Sequence, residues 1–246
     1  MRVLGIDLAW GEGSAGRQAN ETGVVAVDGR GVVLDAGWTC GLDETAGWIA
    51  EWCVADCLAM IDAPLVVEND VGQRFCEKQV GQRYGRWKVS ANSTNRRRPR
   101  LAGVALRTRL DAEGWRYDDG SGGPSDAGRA LSEVYPYTTI VGADELGDDT
   151  ERPTYKRPPR GMSKAQFRPL RALACNGLIT AMMQLTTADP ALDLRSHPAT
   201  AKLVSEVSPL ADAAYKHRED LLDAALCAWT GLLWVSHGLG AAKCSA

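Results

Sequence analysis

The chain has little that would suit a thiolate or imidazole metal site. Only three histidines occur in 246 residues, His197, His217 and His237, and no HExxH pattern is present, so protease-type zinc chemistry has no foothold. The seven cysteines (Cys40, Cys53, Cys57, Cys76, Cys175, Cys227 and Cys244) form no CxxC pair and are odd in number, which predicts reduced, mostly buried thiols. No apolar run approaches the ~20 residues of a membrane span. The opening MRVLGIDLAW enters an apolar strand without the basic start and cleavage site of a secretory signal, so a cytoplasmic location is expected. Internal repeats and low-complexity tracts are lacking as well. A net charge of -3 excludes a protein that is basic throughout, and any contact with nucleic acid must use local positive patches.

What is present suits one α/β domain over residues 1–246. An apolar content of 45% is ample for a substantial core. Residues 2–9 read as a strand covered on both faces, and 22–28 and 31–39 as two further strands joined by a short turn at Gly29 and Arg30. Asp43 is placed to cap a helix through ETAGWIAEWCVA, in which Trp48 and Trp52 read as packing residues. CLAMIDAPL at 57–65 is a buried strand stopped by Pro64. Helices are predicted from Asp70 to about Arg83 and from Leu101 to Glu113, forming an Arg-rich insertion at about 70–113. A strand begins SEVYPYTTIVG at 132–142, a charged, turn-rich loop covers 147–161, and helices follow from Ser163 to about Leu185 and from Tyr215 to Trp234.

Several acids interrupt this apolar pattern, where an unpaired carboxylate is costly. Asp7 in GIDLAW and Asp62 in MIDAPL each follow an isoleucine near a strand end, and adjacent parallel strands would set them side by side. Asp220 and Asp223 are three apart on the last helix and share a face. Glu133 ends the next strand. Gathered carboxylates raise one another's pKa or demand a cation, and an all-oxygen donor set favours Mg2+ or Mn2+. Each acid also has a structural reading: Asp7 as a strand-end turn former, Asp62 as a cap before Pro64, Asp220 as a helix N-terminal charge, Glu133 as an edge ion-pair partner.

Taken together, GIDLAW, IDAPL, EVYP and KHREDLLDAALCAWTG resemble an uncharacterised family of predicted ribonuclease H-like nucleases over nearly the whole chain. The resemblance implies a mixed five-stranded sheet in β-β-β-α-β-α-β-α order with helices on both faces. It further implies a nuclease in which Asp7 is shared by two metal ions, Asp62 and Asp223 complete the ligands, Asp220 is an alternative ligand, and Glu133 matches the EVYP position. Two ions ~4 Å apart activate water and stabilise the leaving oxygen in such phosphodiester hydrolysis.

Two basic segments could hold a polyanion. The first contains Arg86, Lys88, Arg96, Arg97, Arg98 and Arg100, with Glu77 the only acid between 74 and 109. The second begins with Lys156 and Arg157 and carries no acid as far as Arg171. With Tyr84, Trp87 and Asn92 nearby, phosphate contact and base stacking with DNA or RNA are expected; a solvated face is the other reading. Lys216 and His217 lie one turn before the acids, where they could touch a scissile phosphate, shuttle protons, or simply be helix surface. The competing functions are an actin-like ATP phosphotransferase, which shares the early strand acid, and a catalytically silent nucleic-acid-binding module.

Overall fold

The computed structural model describes residues 1–10, 19–98, 101–123, 127–147 and 150–238. Strands β1 (Arg2–Asp7), β2 (Glu21–Asp28) and β3 (Val33–Cys40) pair antiparallel in sequence order, as the short turn predicts. Asp28 fastens that turn, its Oδ1 accepting from the amides of Arg30 and Val32 at 2.9 and 3.0 Å. Helix α1 (Gly41–Trp52) leads to β4 (Cys57–Ile61), which lies parallel to β1. Asp43 does not cap α1: Cys40 holds that position, and Asp43 sits in the first turn, where its charge favours the helix dipole.

The expected five strands become six, in the order β3-β2-β1-β4-β6-β5. The extra strand, β5 (Arg116–Tyr117), is two residues long and leaves no periodic signal in the sequence. The stretch from 132 to 142 divides: β6 (Arg129–Glu133) ends at the acid, and Pro136 opens α4 (Pro136–Gly142), since a helix's first turn has no use for the amide that proline lacks. The predicted insertion contains α2 (Phe75–Tyr84) and α3 (Ala102–Ala112), the former starting five residues later than the sequence suggests. Helices α5 (Lys164–Met183), α6 (Pro198–Ser205) and α7 (Asp212–His237) complete the chain order. No helix among the described residues is long and apolar enough to cross a membrane.

Helices cover both faces of this mixed sheet. Val3, Val25, Val27, Leu58 and Met60 face α7, α5 and α4, while Leu4, Ile6, Val24, Ala59, Ile61 and Leu131 face α1 and α3. Helix α7 is buried almost all round from Arg218 to Trp229, as befits the central element of a core. Each of its fully buried leucines contributes roughly 1.5–3 kcal/mol.

Two glycines let α7 lie against the sheet. A Cβ on Gly5 would stand 2.0 Å from the carbonyl oxygen of Ala224, and one on Gly23 would stand 2.1 Å from that of Asp220. Gly5 is two residues before Asp7 on β1, and Gly23 is the register partner of Asp7 on β2. The bare backbone around Asp7 is therefore what brings the acidic turn of α7 onto the strand end.

Candidate functional site

Strand register decides which acids meet. Ile6 pairs with Ile61, and the amide of Asp62 donates to the carbonyl of Ile6 at 2.8 Å, so Asp7 and Asp62 leave adjacent parallel strands at the same level. Both lie in alternation with residues that face α7. Glu133 instead pairs with Ile61, whose side chain packs on the opposite face. One residue of strand parity thus separates Glu133 from the two aspartates.

Helix α7 brings Lys216, Glu219, Asp220 and Asp223 to the same place, at spacings that form one stripe. Glu219, Asp220 and Asp223 are 7%, 3% and 0% exposed. The Lys216 ammonium lies 3.9 Å from Asp7 Oδ2 and 3.5 Å from Glu219 Oε1, and it also donates to Asp220 Oδ1. A second ammonium arrives from the loop before α5: Lys156 Nζ is 2.5 Å from Asp223 Oδ2. The other oxygen of Asp223 accepts from the Tyr155 hydroxyl at 2.7 Å. The Tyr215 hydroxyl, on α7, donates to the backbone carbonyl of Tyr155 at 2.6 Å and ties the loop to the helix.

Five carboxyl groups, those of Asp7, Asp62, Glu219, Asp220 and Asp223, thus face two ammonium groups. Burial, with repulsion from Asp7, pushes Asp220 up to about 9 against the pull of Lys216. Burial and Asp223 push Glu219 up to about 7, with Lys216 and Lys156 opposing. Asp62 is raised well above the carboxylate range by burial, helped by Asp7 and Asp223 and opposed by Lys156. Asp223 is raised by burial although Lys156 attracts its charged form. Burial disfavours the Lys156 cation, yet Asp223, Asp62 and Asp7 together hold its pKa well above the usual lysine value. Carboxyl groups outnumber ammonium groups here, and crowding keeps protons on some of them that isolated carboxylates would have lost.

The acids open onto a cleft of about 1520 Å3. Asp7, Asp62, Glu219 and Asp220 line it, whereas Asp223 lies beneath them. Arg152, Lys156, Arg157 and Arg171 also line it, and Trp10, Phe75, Tyr117 and Tyr135 contribute aromatic surface. Phe75 is 76% exposed there.

Glu133 is bound elsewhere in the same cleft. Its two oxygens accept from Arg74 NH1 and NH2 at 2.7 and 2.5 Å, and Oε2 also accepts from the amide of Leu65 at 3.0 Å. Arg74 Nε donates to Glu77 at 2.9 Å, and Glu77 takes further hydrogen bonds from the amides of Arg74 and Thr94. Burial opposes ionisation of Glu77, but these hydrogen bonds win and hold it below the ordinary value. Glu133 therefore anchors the insertion to the sheet rather than joining the aspartates.

The first basic segment does not line the cleft with its expected residues. Arg86 stacks over the Trp87 ring at 3.8 Å, and Lys88 pairs with Glu151 at 2.7 Å. Arg96 donates to the carbonyl of Val67, Arg98 donates to that of Ser93 and lies over Trp10, and the Arg97 amide donates to Asn95. Arg100 lies outside the described residues. Of the two segments, Lys156 and Arg157 reach the cleft, and Arg157 is steadied by Asn92 Oδ1 at 3.1 Å.

Sequence reasoning overlooked Glu219 and Tyr155. The spacing of Lys216, Glu219 and Asp223, three and four residues apart, was the available signal for the former. Nothing local marks Tyr155, whose role depends on where its loop crosses α7. His217 reaches the cleft rim, where its Nδ1 is 2.7 Å from Glu21 and its ring stacks on Trp38.

No curated protein and no solved structure matches the chain. A family model matches residues 5–244, from within β1 to beyond the last helix, and the chain belongs to the family described as Protein of unknown function (DUF429).

Proposed function

We propose that the protein is a divalent-metal-dependent nuclease of ribonuclease H-like topology, hydrolysing phosphodiester bonds of nucleic acid in the cleft at the strand ends. The observation that carries this reading is the excess of carboxyl groups over ammonium groups at the ends of two parallel strands, in a cleft that Arg152 and Arg157 also line. The topological part is supported by three antiparallel strands followed by parallel strands reached through helices, the order that the resemblance to ribonuclease H-like nucleases implies.

The donor chemistry fits Mg2+ or Mn2+, since every candidate ligand is a carboxylate oxygen. Among the described residues no three acidic, histidine or cysteine side chains already converge as a ligand shell; lysine ammonium groups lie between the acids instead. Asp7, Asp62 and Asp220, which border the cleft, would hold the ion. A bound divalent ion supplies Lewis-acid stabilisation of charge on phosphoryl oxygens. Arg152 and Arg157, both in the cleft lining, would orient a phosphate backbone, and Phe75 would stack on a base.

Incubating the purified chain with end-labelled single- and double-stranded DNA and RNA, in Mg2+, Mn2+ or EDTA, tests the reading. Cleavage is expected with metal and none with EDTA. Cleavage that survives EDTA, or intact substrates under every condition, would overturn it.

A further inference from the structure

The two lysines in the acidic cluster are held in different ways. Lys216 is 60% exposed along its side chain and reaches the acids from its own helix, so it can swing into solvent without disturbing the fold. Lys156 is 18% exposed and confined on several sides. Asp223 meets its ammonium at 2.5 Å, and the rings of Tyr137 and Tyr155 have their centroids 5.3 and 5.6 Å from it. Aromatic faces add to the attraction for a desolvated cation. Its backbone neighbour Tyr155 is fully buried and clamped to α7 through Asp223 and Tyr215.

Asp223 is equally committed. It is fully buried, takes the Tyr155 hydroxyl on one oxygen, and gives the other to Lys156; no hydrogen bond of good geometry reaches that second oxygen, so the ammonium charge alone balances it. An uncompensated carboxylate at such depth would cost several kcal/mol. Removing Lys156 to admit a metal ion would therefore mean dismantling a packed arrangement, whereas removing Lys216 would not.

We propose that the site takes one divalent ion, held by Asp7, Asp62 and Asp220 in exchange for the Lys216 ammonium, and that Lys156 is a built-in cation standing where a second ion would otherwise be needed. This rests on the metal-dependent reading above and narrows it, because the resemblance to ribonuclease H-like nucleases implies two ions. Asp223 then positions Lys156 and is not a metal ligand. The electrostatic requirement is the same in either case: positive charge must lie on both sides of the shared carboxylate of Asp7, and here one side is supplied by the chain.

Counting bound Mn2+ tests this without any turnover. The metal-free full chain is titrated with Mn2+, and free ion is followed by its electron paramagnetic resonance signal. One ion per wild-type chain is expected. Lys216→Ala should still bind one, but severalfold more tightly, because no ammonium competes. Asp223→Asn should keep one ion with an affinity within a few-fold of wild type. Lys156→Met should bind two.

Two ions on the wild-type chain would overturn the inference and leave the nuclease reading standing. No bound ion at all would overturn both. Unchanged affinity in Lys216→Ala would refute the exchange, and loss of the ion in Asp223→Asn would show that Asp223 is a ligand. A folded Lys156→Met chain holding a single ion would refute the role of Lys156 as the second cation. Should that variant not fold, the wild-type count and the other two variants still decide the matter.

Discussion

Two groups of acids border the same cleft, and the protein treats them in opposite ways. Glu133 and Glu77 are neutralised by the forked guanidinium of Arg74 and by backbone amides, so that nearly every oxygen has a donor. Asp7, Asp62, Glu219, Asp220 and Asp223 share two ammonium groups among five carboxyls. Satisfied charges hold the insertion on the sheet. Unsatisfied ones store an affinity for added positive charge, and the contrast within one cleft separates scaffold from chemistry better than the presence of carboxylates does.

The sharpest test of that contrast is Asp7→Asn. Hydrolysis should fall to background while the metal-free fold becomes slightly more stable, because a repelling charge leaves an overcrowded cluster. Activity assays with Mg2+, paired with thermal unfolding in EDTA, measure both signs; full activity in the variant would break the assignment.

Arg74→Ala should do the reverse. Removing the cation strands Glu77 and Glu133, and loss of one partner of a buried pair costs about 3–5 kcal/mol. Chemical denaturation should show a loss of that size, and a loss below about 1 kcal/mol would mean that the network behaves as an exposed ion pair.

Titration of the unsatisfied group gives a further, smaller effect. Glu219 at about 7 and Asp220 at about 9 hold protons in the folded chain that the unfolded chain has already released above its ordinary carboxylate range. Their contribution is complete at the acid end and is lost as pH rises through that window, so in EDTA the melting temperature should fall between pH 5 and pH 9. Saturating Mn2+ should flatten the decline. A melting temperature that climbs with pH in EDTA would contradict the excess of carboxyl groups over ammonium groups.

The smallest effect is expected from replacing Arg96, Arg97 and Arg98 with alanine. These arginines do not line the cleft, whereas Arg152 and Arg157 do. The slope of nucleic-acid affinity against salt should change little, whereas Arg152→Ala with Arg157→Ala should reduce it by about one contact per lost charge. Equal reductions in the two variants would place the polyanion outside the cleft.

The sequence made the aspartates legible because acids at the ends of apolar strands and on an apolar helix violate a strong pattern. Asp7 and Asp62 meet through strand order, and Asp220 arrives through helical spacing, both of which are readable from one dimension. Glu133, expected as a catalytic acid but not as a metal ligand, has its side chain on the other face, and that parity depends on where β6 starts. The two basic segments differ for a related reason. Arginine density says nothing of direction, so Arg86, Lys88 and Arg96 to Arg98 stand outside the cleft lining while Lys156 and Arg157 of the second segment, with their neighbour Arg152, are within it. The sixth strand escaped because two residues carry no pattern.

The close fit of α7 over Gly5 and Gly23 also bears on how the molecule comes into being. A ribosome delivers Asp7 and Asp62 early, but Asp220 and the helix that covers Val3, Val25, Leu58 and Met60 come more than two hundred residues after the first strand. Until that helix docks, the nascent chain has a bare apolar sheet face and an incomplete acidic site, a state prone to wrong association. Interrupted synthesis therefore yields a chain whose acidic cluster is unassembled, and the cluster forms only when the last large piece of the core arrives.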